Sequence, residues 1–182
     1  GRMKALFFKI VPYVTMLVAI LAWAFGYVIY EETLIAWWEP LSMALILAIA
    51  TLFFSKKWQW LTRSDNKILN GICHLFHASA FCYLMILGGN FMLADPSSTR
   101  EEKVTILSKH IETHKQTRRV GKHRYVPAGE RKEYYLHVVF ENGTQKKFPV
   151  SLSTYNKTRP NATRTLTLEK GFFGYTIIKK GI

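Results

Sequence analysis

The chain has 182 residues but only two cysteines, and 12 acidic residues stand against 25 Lys and Arg. Cys73 and Cys82 are nine positions apart, which puts them on opposite faces of a helix and excludes a disulfide-framed module. Also missing are a Ser/His/Asp set, a glycine-rich phosphate loop, Cys-x-x-Cys and His-Glu-x-x-His. The sequence therefore nominates no catalytic residue and no cofactor, and an enzyme is not expected. Long apolar runs are missing too, but only from the second half. Residues 95–182 carry 18 Lys and Arg and 8 Asp and Glu, whereas residues 1–94 carry 7 and 4. The first half thus reads as a membrane part and the second as a basic, water-facing part, which argues against a wholly soluble globule.

Three apolar runs lie in residues 1–94: 10–29, 34–54 and 68–93. Each is near the 20 or so residues needed to cross about 30 Å of hydrocarbon. The connectors, 30–33 and 55–67, are short enough for antiparallel neighbours. The expectation is three transmembrane helices. Ala22-Trp23-Ala24 looks like a secretory cleavage site, but the apolar run continues to Ile29, past the length of a signal core. Lys4, Lys9, Lys56, Lys57, Arg63 and Lys67 flank one side of this arrangement. The positive-inside rule places that side in the cytoplasm and the C-terminal part outside. Trp37 and Trp38 would then mark the outer interface, and Trp58 and Trp60 the inner one.

Lipid tails are as apolar as leucine, so membrane helices associate through small residues and polar contacts. Ala22 with Gly26, and Ala44 with Ala48, are spaced for such packing; on the third run, Gly71, Ala78, Cys82 and Gly89 fall near one line. Intramembrane polar residues are the candidates for function: Glu39, Asn70, His74 and His77. His74 and His77 share a face and are weak metal candidates, because the first two runs offer no His, Cys or Asp to complete a site. Neutral histidines hydrogen-bonded between helices are the favoured reading.

Residues 95–182 read as short strands. Lys103 to His110 is a first strand, and Glu133 to Phe140 alternates, with Tyr134, Leu136, Val138 and Phe140 on one face. A three-residue loop Glu141-Asn142-Gly143, with Gly143 left-handed, pairs Leu136 with Phe148 and Tyr134 with Val150, keeping one face apolar. A helical turn near Tyr155, a strand from Arg164 to Glu169 with Leu166 and Leu168 inward, a reversal at 171–174 and a last strand from Tyr175 complete the pattern. Five strands suggest a small OB-like or SH3-like β-barrel. Between the first two strands lies a basic loop, 113–132, with Lys115, Arg118, Arg119, Lys122, Arg124, Arg131 and Lys132 and one acid, Glu130. It reads as an anion-binding finger or as a solvated hairpin. Asn142, Asn156 and Asn161 begin Asn-x-Thr sequons, which read as turn residues.

The segments YYLHVVFENGT, KKFPVS and LTLEKGFFGY, behind a set of apolar helices, resemble bacterial membrane proteins of unknown function with a short helical anchor and a small basic β-barrel. That resemblance implies an α+β architecture and a bacterial envelope setting; together with the positive-inside count, the expectation is a bacterial inner-membrane protein with its N-terminus cytoplasmic and its β-domain periplasmic or extracellular. The partners expected are the lipid bilayer and an acidic protein, glycan or lipid headgroup, with a homo-oligomer as a further option. Two other readings compete. The helices themselves could protect against a membrane-inserting toxin, as an immunity protein does. Alternatively, the tail could face the cytoplasm and bind anionic lipid or nucleic acid, although stacking aromatics are not evident in the finger.

Overall fold

The computed structural model describes all 182 residues. The architecture is α+β, with helices and a five-stranded antiparallel sheet. Two compact units form: residues 1–99 with 169–177, and residues 100–168 with 178–182.

The first unit is built on α1 (Arg2–Glu31) and α4 (Lys67–Met92). At 1.5 Å per residue these are about 45 and 39 Å long. Both are long and apolar enough to cross a membrane. Only 11% of the most apolar window of α1 is buried inside the protein, so the rest of that surface needs an apolar surrounding. The two helices run parallel. Ala19 and Ala22 pack with Ala80, Gly26 lies under the Tyr83 ring, and Ile29 lies beside Gly88, so position numbers rise together. Near the opposite end, Arg63 donates to the Phe8 carbonyl at 3.1 Å, four residues ahead of α4.

The second apolar run is not a third straight helix, which corrects the expectation of three regular spans. Residues 34–37 are not helical, and the Leu34 N–H bonds the Thr176 carbonyl at 2.8 Å. Helix α2 (Trp38–Ala50) has 13 residues, about 20 Å and too short to cross alone. After it the chain bends by 74° into a 3-10 turn (Leu52–Trp58) and the short α3 (Gln59–Thr62). Thr51 explains the break. Its hydroxyl lies 2.9 Å from the Leu47 carbonyl and 3.1 Å from that of Ala48, a back-bonding habit that bends helices. Ala48 also receives His74 Nε2 at 3.1 Å, so its carbonyl is satisfied without the next helical N–H.

Small residues behave as expected on two helices: Ala19, Ala22 and Gly26 on α1 and Ala44 and Ala48 on α2 are buried. On α4 the expected line fails. Gly71, Ala78, Cys82 and Gly89 are only half-buried, while Asn70, His74, His77, Tyr83, Leu87 and Asn90 are buried. Helix α4 has α1 on one side and α2 with the 3-10 turn on another. Its buried surface is therefore set by two neighbours and by hydrogen bonds, not by one stripe of small side chains.

Strands β1 (Asp95–Arg119), β2 (Tyr125–Val139), β3 (Gln145–Val150), β4 (Thr163–Lys170) and β5 (Thr176–Lys180) stand in the order β3-β2-β1-β4-β5. The sheet is open. The barrel expectation is therefore corrected: β3 and β5, at six and five residues, remain as short edges, which is another way to limit edge-to-edge pairing. The β2–β3 register is the one that keeps apolar faces together, with Tyr134 opposite Val150 and Leu136 opposite Phe148. Gly143 takes φ 84°, and the Phe140 N–H closes the three-residue loop on the Thr144 carbonyl at 2.8 Å. Helix α5 (Leu152–Lys157) supplies the turn near Tyr155, whose ring sits 5.2 Å from that of Tyr134. Asn142 and Asn161 are turn residues, the latter at φ 64°, but Asn156 is inside α5 and not in a turn.

In the second unit, Val104, Ile106, Leu136, Val138, Leu166 and Leu168 are all at most 1% exposed. They form the apolar floor of the sheet.

Candidate functional site

The segment 113–132 is not a loop. It is mostly strand, the continuation of β1 and β2 as a two-stranded hairpin closed by a turn at 120–124. Thr113 faces Lys132, His114 faces Arg131, Lys115 faces Glu130 and Arg119 faces Tyr125. Register shifts fall between Ile106 and Ser108 and between Lys115 and Thr117, where bulges increase local twist. Gly121 and Gly129 take φ 91° and 100°, conformations open to glycine and strained for other residues. Lys115, Arg118, Arg119, Lys122, Arg124, Arg131 and Lys132 are all exposed along this ribbon. The Arg119 guanidinium folds back on the turn, donating to the carbonyls of Gly121 at 3.0 Å and Lys122 at 2.6 Å. That bonding rigidifies the tip and leaves the other cations presented to solvent. The alternation that marks a strand is masked here, because exposed two-stranded ribbons put polar residues on both faces.

The polar residues on and beside the apolar helices separate into different roles. His74 is locked at the break after α2. The Trp58 indole N–H donates to its Nδ1 at 3.1 Å, so Nδ1 is an acceptor and the proton sits on Nε2. Nε2 then donates toward the Thr51 hydroxyl at 2.9 Å and the Ala48 carbonyl at 3.1 Å. Both ring nitrogens are engaged in a neutral imidazole, which joins α4 to α2 and to the 3-10 turn. His77 Nδ1 donates to the Cys73 carbonyl at 2.8 Å, and its ring lies 4.5 Å from that of Trp58. Its Nε2 is buried without a hydrogen-bond partner. Both nitrogens of His74 are already engaged, so a metal there would have to break its network.

Trp58, expected as an interfacial anchor, is half-buried and serves as the donor to this network. Asn70 is buried with its carboxamide satisfied, accepting from the Thr62 hydroxyl and donating to the Ser64 carbonyl at 2.9 Å. Glu39 lies in the first turn of α2 beside the buried Pro40.

Two features escaped the sequence reading. Asn90, near the end of α4, holds the reversal at 171–174: its side chain accepts from the Phe173 N–H at 3.0 Å and donates to the Tyr175 carbonyl at 3.1 Å. Its backbone carbonyl takes the Phe172 N–H at 3.1 Å. A side chain at Gly171 would fall on the Asn90 carboxamide, so that glycine is required by close approach. The second feature is a face of β1 and β2. His110, Glu112 and His114 alternate along β1, and Glu133, Tyr135 and His137 along β2, with Glu112 directly opposite Glu133. Glu112, His114 and Glu133 bring one ligand atom each within 4.8 Å of one another. The readable signal was His-x-Glu-x-His at 110–114, which on a strand places all three side chains on one face.

Lys147 on β3 hydrogen-bonds Glu112, and this contact, ahead of the neighbouring charges of Lys147, His110 and His114, holds the Glu112 carboxyl below its ordinary pKa. No protein family, curated protein or solved structure matches the chain.

Proposed function

We propose that the chain is a non-enzymatic integral protein of a bacterial inner membrane that carries a basic β-hairpin for capturing an acidic partner. The observation that carries this reading is the hairpin itself: seven exposed cations against one acid on a two-stranded ribbon. A ribbon beyond the third strand has no apolar core of its own, and two-stranded hairpins are marginal in water. Its charge gives it an affinity for acidic protein, glycan or lipid headgroups that falls with salt.

The anchor crosses three times in this reading. If α1 and α4 both cross and run parallel, the chain between them has to return across the bilayer. The bent segment from Trp38 to Thr62 is the only chain available for that return. Supporting it, the break is sealed by Thr51, His74 and Trp58, and irregular backbone at membrane depth is tolerated where protein satisfies it. With the lysine-flanked side in the cytoplasm, the hairpin faces the periplasm or cell exterior.

Topology is the first test. Cysteines placed singly at Ser64 and Thr117, in a background without Cys73 and Cys82, are exposed to an impermeant thiol reagent on intact cells with permeable outer membranes. Labelling at 117 and not at 64 is expected; the reverse pattern moves the hairpin to the cytoplasm and the search to inner-leaflet lipid or nucleic acid. Partner capture is tested with heparin as a polyanion probe on the full chain in zwitterionic nanodiscs. Changing Arg118, Arg119, Lys122 and Arg124 to Gln should abolish salt-sensitive retention, and unchanged retention removes the hairpin from consideration.

A further inference from the structure

The strand face at the base of the hairpin points to a second site, independent of the polyanion reading. We propose that Glu112, His114 and Glu133 bind a divalent transition cation of the zinc class.

The first argument is electrostatic. Glu112 and Glu133 are directly opposite in the β1–β2 ladder, and like charges in that position repel. Each carboxylate recovers part of this through a basic neighbour. Lys147 takes Oε1 of Glu112, and Arg131 Nη2 lies 3.3 Å from Oε1 of Glu133. In both cases it is the Oε1 atom that is used. The two Oε2 atoms both lie near His114, whose Nε2 is 3.8 Å from that of Glu112 and 3.6 Å from that of Glu133, the latter oxygen also accepting from the Tyr135 hydroxyl.

The second argument is geometric. Zinc bonds to imidazole nitrogen and carboxylate oxygen at about 2.0–2.2 Å, so two ligand atoms on a tetrahedron stand about 3.3–3.6 Å apart. The two distances at His114 are at or just above that, and all three ligand atoms lie within 4.8 Å of one another, so rotation of the Glu112 and Glu133 side chains toward His114 would make a site with three protein ligands. The fourth corner opens to solvent, the pattern of an accessible zinc centre rather than a closed structural one.

The third argument is support around the ligands. The Tyr135 hydroxyl donates to Glu133 Oε2 at 2.7 Å, and Lys147 holds Glu112, so both carboxylates are oriented by neighbours, as metal-ligating carboxylates are. His110 Nε2, 3.9 Å from Glu112 Oε1, adds a second imidazole on the same face. The donor set of imidazole and carboxylate, without thiolate, selects zinc and its first-row neighbours over soft cations. His114 is 56% exposed, so a cation reaches it without any opening of the fold.

The test uses the full chain in zwitterionic nanodiscs after chelator treatment, titrated calorimetrically with Zn²⁺ and, in parallel, with Co²⁺ followed by visible absorption. One Zn²⁺ per chain is expected, with Co²⁺ giving the intense bands of a tetrahedral centre. His114→Ala and Glu133→Gln should each weaken Zn²⁺ binding at least tenfold, while His123→Ala, at the exposed hairpin turn, leaves it unchanged. Circular dichroism of the variants separates lost ligands from lost fold, and a rise in wild-type melting temperature with Zn²⁺ checks the site without any substitution. Failure to bind Zn²⁺ at micromolar concentration overturns the proposal. So does binding that His114→Ala and Glu133→Gln leave intact, or that His123→Ala removes.

Discussion

The helical unit and the sheet unit bury different mixtures of side chain. Between residues 100 and 168 the fully covered positions are Val104, Ile106, Leu136, Val138, Leu166 and Leu168, and the buried polar residue is Thr158. Among the helices, the covered positions are alanines together with Asn70, His74, His77, Ser79 and Asn90, with Tyr83 and Leu87 the large apolar side chains among them, whereas Phe7, Phe8, Leu17, Ile20, Phe25 and Ile46 are exposed. Water explains the first pattern, because burying apolar area there is worth about 25 cal/mol per Å². Between helices that cross a bilayer, as we propose for α1 and α4, that drive is missing, and close contact and hydrogen bonds take over. The same residue type therefore carries different weight in the two units.

The sharpest way to break this contrast is to make one substitution in both places. Leu136→Ala in the sheet floor should cost about 2–5 kcal/mol. Leu21→Ala on the outward surface of α1, 43% exposed, should stay within about 0.5 kcal/mol. Denaturant unfolding in detergent, followed by circular dichroism, measures both; equal losses would show that α1 is not lipid-facing.

A smaller effect tests the polar side of the contrast. Trp58→Phe removes the donor to His74 Nδ1 and leaves a buried acceptor open, at a cost of about 1–3 kcal/mol. In a double-mutant cycle with Thr51→Val, a coupling near 1 kcal/mol is expected if the break behaves as one network, and strict additivity would dissolve it into separate contacts.

The smallest effect lies in the sheet unit. Glu112 has a lowered pKa, so the folded chain keeps its carboxylate ionised further into acid than the unfolded chain does. Its contribution is complete above the ordinary carboxylate range and disappears as pH falls through the lowered value. Lys147→Met should move the Glu112 carboxyl resonance titration upward, and an unmoved titration would remove Lys147 as the cause.

How much could be read beforehand follows the same division. The β2–β3 register was legible to the residue, because only one pairing puts Leu136 against Phe148 and Tyr134 against Val150. Leu166 and Leu168 were legible by alternation, and so was the reversal at 171–174. The break after Ala50 was not: hydropathy reports how apolar a run is and is blind to a threonine that turns back on its own carbonyls. A solvated hairpin was one of the two readings of 113–132, but the extent and register of its paired strands were not legible, since a ribbon polar on both faces has no period to detect. The Glu112–His114–Glu133 cluster needed the β1–β2 register, which a pattern of one strand cannot supply.

The Asn90 clamp also sets a clock. Asn90 is 1% exposed, yet the partners of its carboxamide are 83 and 85 residues further along the chain. At 5–20 residues per second, roughly 4–17 s separate synthesis of Asn90 from synthesis of the backbone that satisfies it. Through that interval the carboxamide at the end of α4 lacks the partners that the folded chain gives it, until Phe173 and Tyr175 arrive.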